Sequence, residues 1–135
     1  MIALDSSVAI AAALPWHGSH EAARAGLPAR PTRPIAHAGL ETYSVLTRLP
    51  PPHRVAPAQA HEVIGSLFSG PALTLSSDGH RHLLELAVHA RITGGSVYDA
   101  LVGLTAREAG ATLLTLDRRA LPVYRLLLVE HELVG

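Results

Sequence analysis

Two short apolar runs in this chain, residues 1–4 and 111–116, each stop at an aspartate, Asp5 and Asp117. The first run leads through Asp5-Ser6-Ser7 into a helical stretch over residues 8–14 that Pro15 ends. A buried strand that passes straight into a helix is the opening of an α/β unit, and most other fold classes are excluded by it. Open α/β sheets place their ligands outside the carboxyl ends of the strands. Asp5 therefore stands where a ligand site belongs. Capping gives it an equally ordinary task, because Asp before Ser-Ser is a good N-cap. The second run is rich in Leu and Thr and predicts a second buried strand. Asp117 after it, with Arg118 and Arg119 next, reads as a site acid or as a turn aspartate.

A third acid marks the stretch Gly94-Gly95-Ser96-Val97-Tyr98-Asp99. The glycines break one helix, and a second begins with Asp99 in its first turn. Leu101, Val102, Leu104 and Ala106 follow as an apolar stripe that must face a core, and Gly110 closes the helix. Between the two runs the pattern predicts helices over residues 16–26, 37–48, 57–68 and 80–92. Leu40, Tyr43, Val45 and Leu46 are the apolar positions of the second of these. Leu83, Leu84, Leu86, Ala87 and Ala90 are the inward face of the last. Their punctuation is proline and glycine: a loop over residues 28–34 carrying Arg30 and Arg33, the triplet Pro50-Pro51-Pro52, a first-turn proline at Pro57, and Gly70-Pro71. Short strands are expected at residues 35–36 and 73–75, a helical turn at 122–126, and a last strand within 127–134. Glu41 lies in the first turns of its helix, where the helix dipole favours an acid whatever its function.

Composition narrows the class further. The chain has 135 residues, 48% of them hydrophobic and few aromatic, which suits one domain of helices layered on a sheet. It has no cysteine, so disulfides and thiolate metal sites are excluded. Its formal charge is zero, which counts against nucleic-acid binding by bulk electrostatics but leaves room for an acidic pocket ringed by arginines. The N-terminus lacks a basic region ahead of its apolar run and meets Asp5 at once, unlike a signal peptide. No apolar run is long enough to span a bilayer. A cytoplasmic chain with no membrane partner is expected.

Asp5, Glu41, Asp99 and Asp117 each have a structural excuse, but together they are harder to excuse. Two follow apolar strands and two stand near helix starts, and one α/β layer arrangement brings such ends to a single crevice. A pair of carboxylates about 4 Å apart repels by roughly 4 kcal/mol at an effective dielectric near 20. A cluster of them takes up protons or holds cations. Oxygen-only ligands favour hard metals, Mg²⁺ or Mn²⁺. Carboxylate-held divalent ions are a known solution to phosphodiester cleavage, activating water and stabilising the attacking and leaving oxygens.

The motifs Leu-Asp-Ser-Ser near the start, Leu-Glu-Thr-Tyr-Ser-Val-Leu-Thr-Arg-Leu-Pro in the middle, Gly-Gly-Ser-Val-Tyr-Asp-Ala-Leu later and Leu-Leu-Thr-Leu-Asp-Arg-Arg near the end occur in that order. In this the whole chain resembles the PIN-domain ribonucleases, and most of all the VapC-type toxins of bacterial toxin–antitoxin pairs. The resemblance implies an α/β fold, a PIN-like three-layer sandwich with a central, mostly parallel sheet of four to five strands flanked by helices. It matches Asp5, Glu41, Asp99 and Asp117 to the family's metal-binding acids, Thr115 to the small hydroxyl residue before the last acid, and Ser6 to the polar residue after the first. It implies a Mg²⁺- or Mn²⁺-dependent endoribonuclease acting on tRNA or ribosomal RNA, a homodimer, and a cognate antitoxin that blocks the acidic groove. Many relatives carry a further acid near the third or fourth position. Here Ser96 lies one turn before Asp99, and Arg118 and Arg119 follow Asp117. One ion in the free protein, with another arriving with RNA, is therefore the expectation.

Arg118 and Arg119 are candidates for contact with phosphate or with an antitoxin carboxylate, or are a solvated turn. The nine histidines show no zinc-site spacing and are read as surface residues. Tyr43, Tyr98 and Trp16 could stack a base, although core or dimer packing is the plainer expectation for each. The alternative function is a catalytically silent PIN-like module that binds RNA or a protein partner through the same groove. A phosphate-binding α/β enzyme finds little support, because no glycine-rich phosphate loop is present.

Overall fold

The computed structural model describes residues 1–27 and 31–135; of the expected loop over 28–34, Arg30 lies outside the described residues. Four strands, β1 (Ile2–Leu4), β2 (Thr32–Arg33), β3 (Thr112–Thr115) and β4 (His131–Leu133), pair in the order β2-β1-β3-β4. Every pairing is parallel. Leu4 lies opposite Leu114, and Leu114 opposite Glu132.

The helices are α1 (Ser6–Ala13), α2 (His20–Ala25), α3 (Ala36–Arg48), α4 (Pro57–Leu67), α5 (Ser77–Ala90), α6 (Ser96–Glu108) and α7 (Leu121–Leu126). Side chains alternate across a strand, and this sheet is buried on both faces. Ile2, Leu4 and Leu114 pack with Val8, Ala9 and Ala12 of α1. Ala3 and Leu113 face the other way, into a core with Val102, Leu104 and Ala106 of α6 and Tyr124 of α7. A third cluster, Leu14, Leu46 and Ala60, joins α1, α3 and α4. The outcome is an α/β three-layer arrangement with a four-stranded sheet. Among the described residues no helix is long and apolar enough to cross a membrane.

Several expected elements are corrected. The strand is not at residues 35–36 but at β2, just before them. Pro34 has no N–H to continue a ladder, so the strand ends at Arg33 and Ile35 becomes the residue that precedes α3. Ile35 makes one isolated parallel bridge, to Leu73, and this is all that stands for the strand expected at 73–75. Helix α5 begins and ends earlier than periodicity implied. The Ser76 hydroxyl caps it by accepting from Gly79 N at 2.9 Å, and Arg91, at φ 56, ends it in the left-handed region before the glycines are reached. Leu84, assigned to the inward face of α5, is 65% exposed, as Leu40 on α3 is 71% exposed.

Candidate active site

The chain passes from β1 to β2 on one side of it, then crosses back to β3 on the other side and on to β4. The crevice beyond the carboxyl ends of β1 and β3 is thus the topological switch point of the sheet, where open α/β folds bind ligands. The register puts Asp5 beside Thr115 there, and Asp5 N donates to Leu114 O at 3.1 Å.

Asp5 stands at the carboxyl end of β1 and is also the cap of the helix that follows. Its Oδ1 accepts from Val8 N at 3.2 Å. Its carboxylate is buried and receives hydroxyl hydrogen bonds from Ser7, Thr115 and Tyr124, the last at 3.2 Å to Oδ2. Burial raises its pKa, and these hydrogen bonds pull the other way. The neighbouring hydroxyl expected from sequence was that of Ser6. The one that bonds Asp5 is Ser7, whose Oγ also accepts from Leu116 N at 2.9 Å and so ties the α1 start to the end of β3. Ser7→Ala therefore costs about 1.5–3 kcal/mol, the range for losing a bond to a charged group and stranding a buried donor. Ser6→Ala stays within about 0.5 kcal/mol. Urea denaturation of the two variants checks this, and equal midpoints would remove the assigned role of Ser7.

Thr115 is fully buried and takes Asp117 N at 3.0 Å on Oγ1, as its place two residues before Asp117 requires. The Asp117 carboxylate turns back on its own loop. Its Oδ1 accepts from Arg119 N at 2.9 Å and faces Arg119 Nε at 3.4 Å, although the Arg119 side chain is 92% exposed. Arg119 is thus the nearest cation to the acids, while Arg118 stays an exposed turn residue. Asp99, half-buried in the first turn of α6, feels the others. Burial first, then the charges of Asp117, Asp5 and Glu41, push its pKa up to about 6, and Arg119 partly offsets them. Glu41 lies furthest out, its Oε1 at 2.9 Å from His37 Nε2.

Asp99 is therefore within electrostatic reach of the other three acids. Among the described residues no group of three or more His, Asp or Glu side chains is close enough to hold a metal ion as it stands. The donors on offer are all oxygen and carry mutual repulsion that a hard cation relieves, so Mg²⁺ or Mn²⁺ suits the set. Three of the four donors on Asp5 are hydroxyls, free to rotate their protons away from an arriving cation.

Three residues near the acids were not read as site residues from sequence. Ser7 was passed over for its neighbour. Tyr124 gives no local signal, since only the fold brings it to Asp5. His37 is not a plain surface residue: it stacks on Tyr98 with ring centroids 5.1 Å apart and planes 5° from parallel. Its spacing of four from Glu41 on one helix face was the available clue. Tyr98, Trp16 and Tyr43, for which core or dimer packing was the plainer expectation, are 53%, 52% and 39% exposed, so none of them is a core residue of this chain.

A profile of the PIN domain matches residues 2–126. The chain belongs to the PIN domain family. It is 51% identical over 134 residues to Ribonuclease VapC40 of Mycobacterium tuberculosis, covering 99% of each chain. To Ribonuclease VapC27 of the same organism it is 45% identical over 123 residues, covering 91% of this chain and 89% of that one. The resemblance to VapC-type PIN ribonucleases that the motifs indicated thus extends along nearly the whole length. The matched PIN segment contains all four acids as well as Ser7, Thr115 and Tyr124.

Proposed function

We propose that this chain is an endoribonuclease, hydrolysing phosphodiester bonds with the help of Mg²⁺ or Mn²⁺ held by Asp5, Asp99, Asp117 and Glu41. The observation that carries the reading is the coupling of these acids: three other carboxylates help push Asp99 up to about 6. A divalent cation bound there supplies Lewis acidity to water and to the phosphate. The chain's own part is orientation. Ser7, Thr115 and Tyr124 fix the Asp5 carboxylate at the strand end, and Arg119 beside Asp117 is placed to meet a phosphate oxygen. The family resemblance brings further proposals. The chain acts as the toxin of a toxin–antitoxin pair, its substrate is tRNA or ribosomal RNA, and it works as a homodimer in the cytoplasm. The exposure of Leu40 and Tyr43 on α3, and of Leu84 and Val88 on α5, supports self-association.

A second reading keeps one observation in its favour. The acids do not form a ready-made cage, as would hold for a module that binds RNA or a protein partner without turnover. Incubating the purified chain with total RNA and Mn²⁺ separates the two. Cleavage that a chelator stops supports the nuclease, and RNA bound but intact supports the silent module.

Cation binding also has a definite pH dependence. Asp99 must lose its proton to serve as a ligand, and it holds that proton up to about 6. The rise in thermal midpoint on adding Mn²⁺ is therefore full above about pH 7 and fades as pH falls through 6. A rise that is the same at pH 5 and pH 7.5 removes Asp99 from the ligand set.

A further inference from the structure

The His37 ring stacks on Tyr98 and meets Glu41. It also borders a cavity of about 130 Å³ between the start of α3, the Leu73 bridge, the start of α5 and α6. His37 lines it, together with Leu73, Thr74, His80, Leu101 and Thr105. The ring pair and the acids are joined through the chain: His37 contacts Glu41 directly, and Tyr98 is the residue before Asp99. Tyr98 is more than half exposed, yet its ring is held nearly parallel to that of His37. An exposed tyrosine held flat against the histidine that borders this cavity costs side-chain entropy.

We infer that the His37–Tyr98 pair and this cavity form a nucleobase subsite, seating one unpaired base of the RNA next to the phosphate that the acids address. The inference rests on the nuclease reading for its substrate class and adds where a base is read. The chemistry fits a base better than a sugar or a peptide. Flat π faces stack any base, and Leu73 and Leu101 make part of the lining apolar. Thr74 and His80 add hydrogen-bonding groups to the same lining. A double-stranded segment has no free base to offer, so the subsite favours single-stranded RNA, loops or bulges.

The test uses the full chain in a chelating buffer, so that binding is read without cleavage. The probe is a single-stranded RNA ten-mer carrying 2-aminopurine at successive positions, whose fluorescence is quenched when the base stacks. With the parent chain, quenching is expected at one position in the register. Tyr98→Ala and His37→Ala abolish it and weaken binding roughly tenfold, the usual scale for one stacked base. Tyr98→Phe retains it. Tyr98 is exposed, so its variants do not threaten the core. A second arm sequences the cut ends of a random RNA pool with Mn²⁺. The parent shows a base preference beside the cut, which Tyr98→Ala flattens. No quenching with the parent, or quenching and preference unchanged in Tyr98→Ala, overturns the subsite while leaving the nuclease standing. Quenching without any Mn²⁺-dependent cutting supports the subsite and overturns the nuclease.

Discussion

Asp99→Asn abolishes RNA cleavage and at the same time makes the cation-free chain more stable. The first half follows from the proposed ligand role: losing one carboxylate of such a set lowers the rate roughly a hundredfold or more. The second half follows from the charge balance. In the fold, Asp99 titrates near 6 instead of 3.8, first because it is half-buried and then because Asp117, Asp5 and Glu41 repel it. A folded-state pKa raised in an acid is a penalty on the ionised form. The penalty is absent below 3.8, grows through the interval to about 6, and is complete above it. Taken at face value a rise of that size is worth ~3 kcal/mol. Asp99 is open to solvent on one side, so screening reduces this to about 1 kcal/mol. Asparagine removes the charge and keeps the shape, so the variant melts roughly 4 °C higher at pH 7.5 in chelator and no higher at pH 4. Added Mn²⁺ reverses the order, stabilising the parent by mass action and the variant little. Scanning fluorimetry at two pH values, with and without Mn²⁺, reads all four conditions. A variant less stable than the parent in chelator at pH 7.5 would show that the acids do not strain one another.

The same residues show what a linear reading can and cannot reach. Asp5 and Asp117 were legible because a strand end is a local pattern: an apolar run, then an acid, then turn or cap chemistry, all within a few residues. The α/β class was legible for a similar reason, since a strand runs directly into a helix, while the parallel sheet was an expectation of the family resemblance. Helix ends were less so. Arg91 takes a left-handed conformation that composition does not announce, and the glycines after it drew the boundary too far along. At residues 31–34 two prolines frame a strand of two residues, too short for any periodicity to show. The choice between Ser6 and Ser7 turned on which hydroxyl faces the sheet at the first turn of α1, a matter of rotation that spacing from Asp5 alone does not settle. Tyr124 lies 119 residues from Asp5. Only the return of the chain past β3, and a glycine in α6 to admit the ring, bring the two together.

Tyr124 is accordingly where the second large effect is expected. Its ring is 1% exposed and packs between α6 and the approach to β4. A Cβ built at Gly103 would come within 3.1 Å of both the Tyr124 ring and Val129, so α6 carries glycine there to seat the ring. Tyr124→Ala empties this volume and costs about 3–5 kcal/mol, enough to leave a domain of this kind only marginally folded. Tyr124→Phe separates packing from chemistry. The ring stays, but Oδ2 of the buried Asp5 loses its 3.2 Å donor, a loss of about 1–3 kcal/mol in the cation-free chain. Burial and the Asp5 charge keep the Tyr124 hydroxyl protonated well above its ordinary range, so this donor is present at every working pH. A cation at Asp5 competes with the hydroxyl for the same oxygen. Mn²⁺ therefore recovers at least as much stability in Tyr124→Phe as in the parent, while Asp5→Asn recovers none. Urea midpoints for the three variants with and without Mn²⁺ decide it. If Mn²⁺ restores stability less well in Tyr124→Phe than in the parent, competition for the carboxylate oxygen is ruled out, and the hydroxyl acts only as it does in the cation-free chain, fixing the Asp5 carboxylate for the incoming cation.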